Sequence, residues 1–156
     1  MENEILNNII VIRINQTSRN MVLDELSSQA IKAGYAKEGF DEALIKRENN
    51  YPTGLHLEKM DIAIPHADAE WTVKSSLTIG ILDSPVEFRP MGEIGDPILA
   101  EIVFLLTIKN PKEHIDFLRV FTSLMSESDL LKDLKKTGDP KKILELLQSG
   151  LPKRKS

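Results

Sequence analysis

The sequence of 156 residues contains no cysteine. This absence excludes a disulfide framework, a thiolate nucleophile within the chain and a cysteine-built zinc site, and it is typical of a reducing compartment. Only 5% of the residues are aromatic, but 41% are hydrophobic, which is enough to bury an ordinary core. We therefore expect one domain over residues 1–156, with a core at about 5–148 and a basic tail at 149–156.

Long hydrophobic runs and a strong charge imbalance are also missing. The longest mainly apolar stretch, residues 98–108, is interrupted by Glu101 and is too short to span a bilayer. Residues 1–8 lack the basic-then-apolar order of a signal peptide. The net charge of −4 mixes both signs, which argues against nucleic-acid binding. We expect a cytoplasmic protein that reaches a membrane only through a partner.

Hydrophobic patterning predicts the α/β class. Stretches of β-branched or apolar residues predict strands at 9–14, 62–64, 76–82, 86–88 and 98–108. Helical spacing of apolar residues predicts helices at 21–33, 40–47, 111–125, 130–134 and 143–147. Residues 53–61 are expected to form a loop and residues 83–85 a turn. Helices at both ends of the chain, with strands between them, indicate a sheet with helices packed on both of its faces.

The most informative candidate for chemistry is His66, one of three histidines. It follows a short apolar strand and Pro65, whose ring restricts its own backbone and favours an extended conformation at Ile64. This placement would present an imidazole nitrogen to a partner from a rigid root. The alternative is an ordinary surface histidine at the end of a strand.

Other residue types suited to an anion lie elsewhere in the chain. His114 is in the first turn of a predicted helix, where backbone N–H groups and the helix dipole favour phosphate. Arg47 ends another helix and could orient a phosphoryl group through paired donors. Thr53 and Gly54 could supply a hydroxyl and a close backbone approach. Each has a plainer interpretation: a first-turn histidine, a helix-end arginine and a simple turn.

Other chemistries have little support. The histidines lack metal-motif spacing, and His56 is interpreted as an exposed loop residue. Gly92 and Gly95 lack the strand–helix context of a nucleotide-binding loop, and there is no nucleophile-elbow pattern. We expect no metal and no cofactor.

Taken in order, these segments resemble the enzyme IIA domain of the bacterial phosphoenolpyruvate-dependent sugar phosphotransferase system, in its mannitol–fructose superfamily. The resemblance covers residues 9–147, and its most specific element is the sequence Ile-Ala-Ile-Pro-His at 62–66. The motifs Tyr-Pro-Thr-Gly-Leu, Pro-His-Ala-Asp and Pro-Val-Glu-Phe are most similar to the galactitol-type branch. The other anchors are Lys-Arg-Glu at 46–48, Ile-Val-Phe-Leu-Leu at 102–106 and His114.

The resemblance implies a mixed sheet flanked by helices and a phosphohistidine at His66. The phosphoryl group would come from the histidine phosphocarrier protein and pass to a cysteine of a separate enzyme IIB, which phosphorylates the sugar during import. His114 would be the second active-site histidine and Arg47 the group that neutralises the phosphate. Thr53 would contribute to binding.

Alternatives stay open at this point. A regulatory domain could use the same phosphohistidine to signal nitrogen or carbon status, and a non-catalytic binding module would accept no phosphoryl group. The sequence leaves open the sugar, which could be galactitol, another polyol or a pentose. The oligomeric state and the role of Asp68 are open as well.

Overall fold

The computed structural model describes residues 4–110, 112, 113, 115, 117, 121, 129–137, 139, 141–143 and 145. Its centre is a mixed five-stranded sheet in the order β1-β4-β5-β3-β2. Strand β5 pairs antiparallel with β4 and parallel with β3, while β1 is parallel to β4 and β2 antiparallel to β3. The strands are β1 (Ile9–Ile14), β2 (Gly54–His56), β3 (Asp61–Ala63), β4 (Ser76–Phe88) and β5 (Ile98–Thr107).

The helices lie before, between and after these strands. They are α1 (Glu4–Asn7), α2 (Arg19–Lys32), α3 (Phe40–Asn50) and α4 (Leu130–Thr137), with short 3₁₀ turns at Ala69–Trp71 and Met91–Glu93. Further helical positions are 112, 113, 115, 117 and 121 after β5, and 141–143 and 145 after α4. No helix in these described stretches is long and apolar enough to cross a membrane.

Two hydrophobic cores cover the two faces of the sheet. One contains the inward residues of α2 and α3, such as Leu26 and Leu44, packed with Val103 of β5. The other contains C-terminal helical residues, such as Phe121, packed on Phe104 with ring centroids 4.7 Å apart. Successive residues of β5 therefore face opposite cores. This arrangement confirms the predicted sheet with helices on both faces.

Local signals in the sequence explain where the first long helices begin and end. Ser18 caps α2, because its hydroxyl accepts a hydrogen bond from the Met21 N–H at 3.3 Å. Gly34, just beyond the end of α2, has a φ of +82°, a value that glycine adopts without strain. Gly39 precedes α3 at a φ of +91°.

Two predictions for the irregular segments were wrong. Residues 53–61 are not wholly a loop, since they contain β2, an edge strand too short to show alternation in the sequence. Residues 83–85 do not break the following strand. Instead β4 continues through them, and a shift of pairing register between Ile81 and Val86 absorbs the extra residues. Both elements are defined by pairing with a neighbouring strand, which the residues of the segment itself do not specify.

Gly54 lies where the backbone has no room for a side chain. It is flanked by Ala63 and Pro90, and its N–H donates to the Arg89 carbonyl at 3.1 Å. A Cβ atom at Gly54 would lie 2.6 Å from that main-chain oxygen and 2.7 Å from Ile98 Cγ1. Glycine at position 54 therefore permits the close approach of the segment after β4.

We predict that Gly54→Ala lowers the free energy of unfolding by about 2–3 kcal/mol, because a main-chain oxygen cannot move aside as a side chain can. Urea denaturation measures the change. Gly92→Ala is the control, since it places alanine at a φ of +76° but has no atom within 4 Å of the new Cβ, so it has a backbone cost without the steric clash of Gly54→Ala. It should cost only about 1 kcal/mol. Equal losses in the two variants would contradict the packing argument.

Candidate functional site

His66 lies just beyond β3, on a backbone held by its neighbours. The Pro65 carbonyl accepts a hydrogen bond from the Leu106 N–H at 3.0 Å, and His66 forms an isolated parallel bridge with Leu106. The strand ends at Ala63, one residue before the predicted end. Because β5 is the central strand, the backbone of His66 is fixed, while its side chain is only partly buried.

The protonation of the His66 ring follows from one contact. Its Nδ1 lies 3.0 Å from the Ile64 carbonyl oxygen. A carbonyl oxygen can only accept, so Nδ1 carries the proton in this hydrogen bond. In the neutral ring the lone pair is then on Nε2, which is the nitrogen able to act as a nucleophile.

A second set of hydrogen bonds supports the same segment from α3. The Ile64 N–H donates to the Thr53 carbonyl at 3.3 Å. Thr53 in turn donates both its N–H and its hydroxyl to the carboxylate of Glu48, each at 2.8 Å. The three residues therefore connect the last turn of α3 to the residue whose carbonyl holds the His66 ring. The Thr53 hydroxyl, which the sequence suggested as a binding group, donates its hydrogen bond to Glu48.

Glu48 was missed by the sequence analysis. It is 1% exposed, and burial raises its pKa above the ordinary value of 4.5. The two hydrogen bonds from Thr53, and the positive charges of Arg19 and Arg89, act in the opposite direction without cancelling the effect. The only sequence signal was its place in Lys-Arg-Glu, at a helix position next to a candidate arginine.

Arg47 reaches the segment that follows His66. Its Nη1 lies 2.7 Å from the Asp68 carboxylate, and the guanidinium carbon lies 5.1 Å from the centre of the Tyr51 ring. Its Nε is buried and has no acceptor among the described residues. The structure therefore brings Arg47 and the loop of His66 together, through a carboxylate two residues after the histidine.

His114, the other candidate histidine, lies outside the described residues. Its surroundings are partly described. The chain leaves β5 at Thr107, one residue after the partner of His66, and the Lys109 N–H donates to the Ser75 hydroxyl at 3.1 Å. The Asn110 side chain then accepts a hydrogen bond from the Lys112 N–H at 3.0 Å, which is the contact of an N-cap residue. This helix therefore begins near the end of the sheet where His66 lies.

His56 lies at the other end of the β2–β3 hairpin. It is the last residue of β2 rather than a loop residue, its side chain is 81% exposed, and its Nδ1 lies 2.6 Å from Asp61. Asp61 pairs with it in register and also accepts from the Leu99 N–H at 3.0 Å. Within the described stretches, no group of three or more His, Asp or Glu residues could hold a metal ion.

The buried carboxyl group of Glu48 predicts an unusual pH dependence of stability. Because its pKa is raised in the folded state, the folded state binds this proton more tightly than the unfolded state. The resulting stability is fully present below the unfolded pKa of 4.5 and is lost as the pH rises through the folded pKa. Glu48→Gln has no such group, so wild type should lose stability relative to this variant across that window. Urea denaturation between about pH 4 and pH 8 measures the difference, and parallel curves would contradict the prediction.

Glu48→Ala is the matched variant that removes the hydrogen-bond acceptor. It leaves two buried donors of Thr53 without their partner, at about 1–3 kcal/mol for each. Glutamine can keep both bonds, since its oxygen accepts from the Thr53 N–H and its nitrogen donates to the hydroxyl.

Comparison with known proteins agrees with this geometry. The family model described as "Phosphoenolpyruvate-dependent sugar phosphotransferase system, EIIA 2" matches residues 4–150. The galactitol-specific EIIA component of the Escherichia coli K12 phosphotransferase system is 27% identical over 121 residues, which are 78% of this chain and 80% of that protein.

Two solved structures show the same fold. Enzyme IIA of the Escherichia coli mannitol system, solved in complex with phosphorylated enzyme IIB, has a TM-score of 0.73 at 23% identity and covers 91% of this chain and 94% of its own. The nitrogen regulatory protein IIA-Ntr of Neisseria meningitidis has a TM-score of 0.68 at 19% identity, with 91% and 94% covered. With its sheet, its histidine at the end of β3 and a family match over nearly its whole length, the chain belongs to the EIIA type 2 family of the phosphoenolpyruvate-dependent sugar phosphotransferase system.

Proposed function

We propose that this protein is a cytoplasmic phosphocarrier that accepts a phosphoryl group on Nε2 of His66. The donor is the histidine phosphocarrier protein, and the acceptor is a cysteine of a separate enzyme IIB that serves sugar uptake. The observation that carries the proposal is the hydrogen bond from Nδ1 of His66 to the Ile64 carbonyl, which leaves the nucleophilic lone pair on Nε2. The complex of the mannitol IIA relative with its phosphorylated IIB supports the choice of partner.

The transfer balances without a change in the protons bound to His66. The donor's P–N bond breaks, its ring regains the electron pair, and a new P–N bond forms at Nε2 of His66. The proton stays on Nδ1, hydrogen-bonded to the Ile64 carbonyl, and this hydrogen bond stabilises the positive charge that the phosphorylated ring acquires. In the second step this P–N bond breaks and a P–S bond forms on the thiolate of enzyme IIB.

The rest of the site supplies charge and alignment, which phosphoryl transfer chiefly requires. Arg47 carries the guanidinium that neutralises the phosphoryl oxygens, and His114 and the helix end at Asn110 provide further donors. Thr53 and Gly54 act through the backbone. The Thr53 carbonyl accepts a hydrogen bond from the Ile64 N–H, two residues before His66. Gly54 allows the segment after β4 to pack beside β2.

The relatives support a choice of substrate class. The galactitol-specific relative favours uptake of galactitol or a similar polyol. A second candidate is a regulatory role based on the same phosphohistidine, favoured by the fold shared with the nitrogen regulatory protein. A direct assay distinguishes these roles: a transport component passes its phosphoryl group to an enzyme IIB, whereas a regulator does not. A non-catalytic binding module would fail already at the labelling step.

We predict that His66→Ala abolishes phosphorylation. Incubation with phosphoenolpyruvate, enzyme I and the histidine phosphocarrier protein should add one acid-labile phosphoryl group to wild type and none to the variant, as measured by intact mass. His56→Ala is the matched control, because His56 lies at the far end of the hairpin and is exposed. Labelling of His66→Ala as complete as that of wild type would overturn the assignment of the acceptor.

We predict that His114→Ala and Arg47→Lys keep the acceptor but slow the transfer. Removing one donor that stabilises developing charge commonly costs about 10²–10³ in rate. Arg47→Lys keeps the charge but loses the fork of paired N–H donors, so its loss should be smaller than that of Arg47→Ala. Rapid-quench measurement of the labelling rate tests both variants. Wild-type rates would remove these residues from the site.

A further inference from the structure

The carboxylate of Asp68 is bound to Arg47, the arginine that the proposed transfer requires. Asp68 Oδ1 lies 2.7 Å from Arg47 Nη1, so the two groups form a charge-assisted hydrogen bond. Asp68 is the residue before the 3₁₀ turn at Ala69–Trp71, but its side chain makes no capping hydrogen bond there. Its contact with Arg47 is therefore not a by-product of a capping role.

The guanidinium of Arg47 is held in place by more than this pair. It lies over the Tyr51 ring, and its Nε is buried with no acceptor among the described residues. A buried donor without a partner is costly, and a dianionic phosphoryl group supplies several acceptor oxygens. Arg47 is thus held near the loop of His66, with one donor bound to Asp68 and its Nε without an acceptor among the described residues.

We propose, on the basis of the proposed function, that Asp68 is an internal competitor of the phosphoryl group for Arg47. In the unphosphorylated protein the Asp68 carboxylate forms an ion pair with the Arg47 guanidinium. When His66 is phosphorylated, a dianion lies two residues away from Asp68, and Arg47 exchanges the carboxylate for phosphoryl oxygens. Phosphorylation must therefore break the ion pair and place two anions near each other.

This competition makes phosphorylated His66 less stable and a better donor. A carrier that bound its phosphoryl group too tightly would accept it readily but release it slowly. Asp68 weakens the product of the first transfer and can bind Arg47 again as the group leaves. It is a positioning residue, since it acts on the phosphoryl group through Arg47. Both side chains are partly exposed, at 33% and 65%, so solvent screening keeps the effect moderate.

The equilibrium with the phosphorylated donor protein tests this proposal. Asp68→Asn should shift the equilibrium constant toward phosphorylated His66 by about two- to fivefold, the range of a partly exposed ion pair. Glu70→Gln is the control, because Glu70 is an exposed carboxylate on the same loop with no ion pair in the described part of the chain. It should leave the constant unchanged.

A double-mutant cycle separates competition from simple repulsion. In the Arg47→Ala background, Asp68→Asn should shift the equilibrium by clearly less than it does in wild type, because the contested group is gone. An unchanged equilibrium in Asp68→Asn, or a shift toward unphosphorylated His66, would overturn the proposal. An equal shift in both backgrounds would also overturn it, since Arg47 would then play no part.

A second measurement does not depend on the donor protein. Inorganic phosphate is titrated into unphosphorylated wild type and Asp68→Asn, and the His66 ring signals are followed by NMR. Phosphate should bind Asp68→Asn about two- to fivefold more tightly, and the gain should vanish when Arg47→Ala is added. Equal affinities would count against the competition. Failure of wild type to accept a phosphoryl group would instead contradict the proposed function. Failure of the competition and failure of the proposed function are therefore distinguishable.

Discussion

The position of the site depends on strand β5, whose two edges are both hydrogen-bonded. Its antiparallel pairing with β4 and parallel pairing with β3 bury it between the two cores, so it cannot shift without disrupting both. Leu106, near its end, anchors the backbone of Pro65 and His66. The His66 ring, on its loop, thereby gains the rigidity of the most buried strand, which the proposed transfer between proteins requires.

Much of this fold could be predicted from local sequence. The β-branched run of β1, the long apolar run of β5 and the Ser18 cap each express a preference within a few residues. The position of His66 after a short strand and a proline was predictable for the same reason. Ser18 and Pro65 act on the backbone next to them, so no knowledge of distant contacts was needed.

The missing parts depend on tertiary and strand-pairing contacts that the local residue pattern does not express. Strand β2 exists because β3 pairs with it, and three residues carry too little pattern to reveal that. Glu48 is an ordinary helix residue in the sequence, and only the return of the chain to Thr53 makes it a buried acceptor. The pairing of Asp68 with Arg47 joins residues 21 positions apart. Neither residue type nor spacing specifies these contacts.

The short β2 also determines how this sheet can meet other molecules. An open edge strand is a template for pairing with another chain and so for aggregation. Here the outer N–H of Gly54 is already bound to the Arg89 carbonyl, and Pro90, which has no N–H, lies alongside. This edge therefore cannot be extended by backbone pairing at Gly54. A partner approaching at Gly54 therefore meets the segment after β4 instead of an open backbone edge.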